Sequence, residues 1–84
     1  MKIVWDLPKQ RWTFDNRGLD FNDLTIEFFE NAIVTDARDG RFKAIGEFRG
    51  LIVTVIFRPL GSEAVSVISM RRSNRKERNA YGRP

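Results

Sequence analysis

The 84 residues contain no cysteine and no histidine. The first absence excludes a disulfide framework, a thiolate metal site and a cysteine nucleophile. The second removes the imidazole ligand of zinc and the commonest general base. No phosphate loop of the form GxGxxG or GxxxxGKS/T is present, and no carboxylates fall at metal-ligand spacing. Long apolar runs are missing as well: the longest, LIVTVIF at 51–57, is far short of the roughly 20 residues that cross a bilayer. The opening MKIVWDLP lacks the apolar core of a signal peptide. The expectation is a cytoplasmic protein without metal, cofactor or membrane contact.

What is present is enough for one core. The apolar share is 42%, with seven Phe and two Trp, well away from the profile of a disordered chain. A chain this short cannot divide its core, so one domain over 1–84 is expected. Charge is unevenly spread. Residues 1–40 hold five Lys/Arg against eight Asp/Glu, whereas residues 41–84 hold ten against three. A cationic face follows, suited to a polyanion or an acidic protein.

Lys2 to Trp5 is β-prone and stops at Asp6-Leu7-Pro8. Pro8 suits a first helical turn and Gly18 a stop, which predicts a helix over 8–17. Asp20 offers a cap, and Phe21, Leu24 and Phe28 recur at helical spacing, which predicts a second helix over 21–30. Period two then takes over in Ala32 to Asp36, Arg41 to Phe48, Leu51 to Arg58 and Ala64 to Met70, divided at Gly40, Gly50 and Pro59-Leu60-Gly61. Ser73 or Asn74 caps a last helix to about Tyr81, with Glu77 three or four residues on, and Gly82 to Pro84 is expected to fray. The order β-α-α-β-β-β-β-α predicts an α+β fold: a curved antiparallel sheet with two N-terminal helices on one face and a short C-terminal helix.

The ending ISMRRSNRKERNAYGRP concentrates the cations. Continued as a helix, it places Arg71, Arg75 and Arg78 in one stripe and Arg72, Lys76 and Asn79 in the next. Arg41 and Lys43 alternate onto one face of their strand, so a groove between strand and helix would be lined from both sides. Arginine suits phosphate because its planar fork binds two oxygens and stays charged. Three readings remain open: a solvated face, a nucleic-acid surface, and a dock for an acidic protein segment. Trp5, Trp12, Phe14, Phe21, Phe28 and Phe29 are expected in the core, leaving Tyr81 and Phe48 placed for stacking on bases.

The segments IVWDLPK (3–9), GLDF (18–21), RFKAIG (41–46), ISMRR (68–72) and ERNAY (77–81), in this order and spacing, resemble the BrnT family of type II toxin–antitoxin systems. The resemblance covers residues 3–81. It implies a RelE-like fold and a ribonuclease that cleaves RNA and arrests translation. It also implies neutralisation by a BrnA-type antitoxin with a ribbon-helix-helix domain, operator DNA being bound only through that partner, and it is compatible with a homodimer or a 2:2 complex. Carried over residue by residue are Arg41, Arg71, Arg72, Glu77, Arg78 and Tyr81, of which Arg41, Arg71, Glu77, Arg78 and Tyr81 are the catalytic candidates; the pattern of cations in this sequence adds Lys43, Arg75, Lys76 and Arg17 to Arg72 as RNA-binding candidates. One departure stands out: a Lys-His-Gly turn usual in the family reads Asn16-Arg17-Gly18 here. A catalytic role for that histidine would leave this chain weakened or inactive, while a phosphate-binding or capping role passes to Arg17.

Cleavage through the 2′-hydroxyl needs proton removal, stabilisation of charged pentavalent phosphorus and protonation of the leaving oxygen. In this expectation Arg41, Arg71 and Arg78 clamp the phosphate, Glu77 is the base, and Lys76 or Tyr81 is the acid. The competing expectation is a non-catalytic basic module, or a degenerate toxin, that binds RNA, DNA or an antitoxin-like partner.

Overall fold

A computed structural model describes residues 1–83. Strand β1 (Lys2–Trp5) leads into helix α1 (Leu7–Arg17). Asp6 caps α1 by accepting from the Lys9 amide, and Gly18 ends it at φ 68°, the left-handed region that glycine enters without strain. The second expected helix is divided. A 3₁₀ turn (Phe21–Asp23) is followed by extended Leu24 and Thr25, and Thr25 Oγ1 accepts from Phe28 N to start α2 (Ile26–Asn31). The break lets Phe21, Leu24 and Phe28 all reach one core, in which each is at least 94% buried.

Strands β2 (Ile33–Asp36), β3 (Phe42–Phe48), β4 (Leu51–Leu60) and β5 (Ala64–Arg72) form an antiparallel meander. The sheet order is β1-β5-β4-β3-β2. The sheet is therefore mixed rather than wholly antiparallel, because β1 pairs with β5 in parallel, Ile3 opposite Val65 and Trp5 opposite Val67. The helices carry the chain from one edge of the sheet to the other, and the meander brings β5 back beside β1. Among the described residues no helix is long and apolar enough to cross a membrane.

One face of the sheet is apolar. Ala44, Val55 and Met70 align across three strands, Phe42 stands opposite Phe57, and Phe28 lies on Gly46 so closely that a Cβ there would sit 3.0 Å from its ring. The opposite face carries Lys43, Ile45, Thr54, Ile56 and Arg71 in register, and α3 (Arg75–Ala80) packs there. A bulge decides which arginine reaches it. Ile56 pairs with Ser69 and Phe57 with Val67, so Ile68 is an extra residue that reverses the alternation. Val65 and Val67 face the core before the bulge and Met70 after it, which turns Arg71 to the α3 side and Arg72 to the other.

Two expectations on packing fail. Trp12 and Phe14 are 54% and 55% exposed, because the residue α1 buries is Thr13 between them. Successive helical residues lie about 100° apart, so a helix seated on a small Thr turns both neighbours outward. The expected fraying fails for two residues as well: Gly82 N bonds Asn79 O and Arg83 N bonds Arg78 O, closing the end of α3. Pro84 lies outside the described residues.

Candidate functional site

The site is built around Glu77. Asn74 is the N-cap of α3, and its side chain accepts from Glu77 N at 2.8 Å while Glu77 Oε1 accepts from Asn74 N at 2.9 Å. This reciprocal box fixes the carboxylate at the helix start. Arg71 reaches it from β5 in bidentate fashion, Nη1 to Oε1 at 2.7 Å and Nη2 to Oε2 at 2.9 Å. Lys43 Nζ reaches it from β3 at 3.3 Å from Oε2. Glu77 is 4% exposed, and the two cations keep about a third of their side chains in solvent.

The hydrogen bonds from Arg71, helped by the Asn74 amide and working against burial, lower the Glu77 pKa from 4.5 to about 2. The same contact raises the pKa of Arg71. At neutral pH the group is one carboxylate under two cations, with surplus positive charge facing outward. A carboxylate this acidic, with both oxygens occupied, is a poor proton acceptor, so its geometry suits anchoring Arg71 and Lys43 better than acting as the base.

The chain between β5 and α3 is pinned on the same face. Ser73 N donates to Ile52 O at 2.9 Å, and the Ser73 and Thr54 hydroxyls share a buried hydrogen bond of 2.7 Å. The Ser73 carbonyl in turn accepts from Arg78 Nη1 at 2.8 Å, which aims Arg78 back across the start of α3. Arg41 lies in the turn before β3, half-buried, with its Nε buried and without a hydrogen-bond partner among the described residues.

The other candidates spread further. Arg71 belongs to β5 and not to the last helix, so the stripe Arg71, Arg75, Arg78 does not exist as a helical row. Arg75 and Lys76 are exposed on α3, and Arg72 is exposed on the sheet side away from Arg71. Arg17 ends α1 and donates from Nη1 to Met70 O at 2.9 Å. Tyr81 lines a different cleft of about 580 Å³, shared with Asp23, Glu27, Glu47, Phe48 and Arg49. Its three carboxylates make that cleft unfavourable for phosphate. Among the described residues no three His, Cys, Asp or Glu side chains converge as metal ligands.

Sequence reasoning missed Thr54 and took Ser73 only as a possible helix cap. Thr54 is the polar exception in LIVTVIF, and a buried hydroxyl in a central strand needs a partner, which was the available signal.

Comparison with known proteins agrees with this architecture. The family described as ribonuclease toxin, BrnT, of type II toxin-antitoxin system matches residues 5–77. The crystal structure of the Brucella abortus ribonuclease toxin BrnT, determined at 1.1 Å, superposes with a TM-score of 0.83 at 53% sequence identity. The match covers 89% of this chain and 99% of that one. No curated protein is significantly similar in sequence. With the family match running from β1 into α3 and the fold shared almost throughout, this chain belongs to the BrnT family of ribonuclease toxins of type II toxin–antitoxin systems.

Proposed function

We propose that the chain is an endoribonuclease that cleaves RNA by attack of the 2′-hydroxyl on the adjacent phosphorus, arrests translation in the cytoplasm, and is neutralised by an antitoxin of the BrnA type. The observation that carries this reading is the cluster of Arg71 and Lys43 on buried Glu77, with Arg78 tied to Ser73 beside it. In a family named for ribonuclease toxins, a prearranged cationic group is the part that cleavage needs most.

In this mechanism Arg71, Lys43 and Arg78 hold the phosphate and stabilise the charge that grows on its equatorial oxygens. They are fixed before substrate arrives, so little reorganisation opposes the transition state. Glu77 is a positioning residue that keeps the Arg71 fork and the Lys43 ammonium in place. Arg41, in the turn just before the strand that carries Lys43, completes the clamp. In this reading Lys76, exposed one residue before Glu77, protonates the leaving oxygen, and Arg75 and Arg72 bind flanking phosphates. The 2′-hydroxyl proton passes to solvent water, since no histidine is present to take it, and the expected turnover is slow.

The acidity of Glu77 favours one second reading, a toxin that binds RNA and antitoxin without cutting. Purified protein incubated with RNA separates the two. Cleavage that Arg71→Ala abolishes, and growth arrest reversed by a co-expressed antitoxin, support the ribonuclease. Salt-sensitive binding to intact RNA supports the second reading.

A further inference from the structure

Trp12 is an exposed ring held in place. It is 54% exposed, and the Arg17 guanidinium lies 4.9 Å from its ring centroid. Arg17 is itself anchored, donating to Met70 O at 2.9 Å and lying 3.4 Å from Ser69 Oγ. These bonds occupy the part of β5 that runs beyond its pairing with β1, which ends at Val67. A cleft of about 220 Å³ opens there, lined by Lys9, Trp12, Thr13, Arg17, Ile68 and Ser69.

We infer that this cleft is a subsite for a nucleotide flanking the scissile phosphate in single-stranded RNA, its base stacking on Trp12 and its phosphate meeting Arg17 and Lys9. The inference rests on the ribonuclease reading and extends it to a region that the candidate active cluster does not include. Charge selects this cleft over the larger one: its lining has two cations and no carboxylate, whereas the other has Asp23, Glu27 and Glu47. Aromatic faces accept any base, and a neighbouring guanidinium adds a cation that follows the backbone. Position supports the same occupant. Ile68, Ser69 and Arg71 lie within three steps of β5, about 10 Å at strand rise, so RNA held at Arg71 passes close to Trp12.

The test uses a short oligoribonucleotide methylated at every 2′-oxygen, which binds without being cut, and the same sugar-phosphate chain without bases. In a Trp5→Phe protein, where Trp12 is the remaining indole, the base-bearing probe should quench emission. Trp12→Ala should weaken binding of that probe about tenfold and Trp12→Phe should restore most of it. The abasic chain should bind wild type and Trp12→Ala alike. Unchanged affinity of Trp12→Ala for the base-bearing probe, in a protein whose parent cleaves RNA, overturns the subsite alone. So does a defect confined to antitoxin binding, which would make Trp12 a protein contact. A wild-type protein that neither cuts RNA nor binds it in a salt-dependent way overturns the ribonuclease reading and the subsite together.

Discussion

The two faces of the sheet are covered in opposite ways. Under α2 and the 3₁₀ turn, Phe21, Leu24 and Phe28 close over Ala44, Val53, Val55 and Met70, an interface made of apolar side chains. On the other face α3 spans six residues, too short to be stable alone, and it is held through Glu77, Ser73 and the cations they bind. The first face derives its stability from area removed from water and tolerates no voids. The second trades that security for placed charge: replacing a buried ion cluster by apolar groups of similar volume is often neutral or stabilising, so stability alone does not account for these ions.

Truncation on the apolar face should give the largest loss of stability. Phe28→Ala should cost about 3–5 kcal/mol, read as a shift of the denaturant midpoint at constant slope, and the fraction that stays folded should keep its cleavage rate. A loss of activity well beyond the unfolded fraction would blur the division between the faces.

Glu77→Gln should come next. It keeps the shape and removes the charge that two partly buried cations depend on, at a cost of about 2–3 kcal/mol and a marked fall in activity. The sign with pH follows from the lowered pKa. Ionised Glu77 stabilises the fold fully above its ordinary value near 4.5, and this contribution disappears as pH falls towards about 2. Wild type should therefore lose its advantage over Glu77→Gln across that window, with other carboxylates cancelling in the comparison. A constant difference between the two would show that the carboxylate is not held as described.

The smallest effect on stability belongs to Arg75→Ala and Lys76→Ala, whose side chains stand in solvent; each should stay within about 0.5 kcal/mol of wild type. Each should still reduce the salt dependence of RNA binding by about one phosphate contact. An unchanged salt slope in both would remove these residues from the RNA surface.

Much of this arrangement was legible in the sequence. Alternation marked the four strands of the meander, glycines marked the turns, and Asn74 with Glu77 three residues on carried the signature of a capping box. Period two also put Lys43 on the face that meets α3, as expected. What the sequence concealed came from single residues acting over a distance. The extra residue at Ile68 has no local mark, yet it decides that Arg71 and not Arg72 turns towards Glu77. Thr13 looks like an ordinary helical residue, yet by taking the contact with β5 it leaves Trp12 and Phe14 outside. The helical stripe drawn through Arg71 failed for a related reason: β5 continues through Arg72 before Ser73 bonds Ile52, so the arginine projects from a strand. Arg71 is therefore the bidentate partner of a buried carboxylate, and its truncation should lower stability as well as activity.

The most direct test of the charged face is single-turnover RNA cleavage by Arg71→Ala and Arg71→Lys, at a temperature where circular dichroism shows both fully folded. The phosphate role of Arg71 predicts a loss of about 100-fold or more for Arg71→Ala and partial retention for Arg71→Lys, which keeps the charge without the fork. Cleavage by folded Arg71→Ala at the wild-type rate would contradict it.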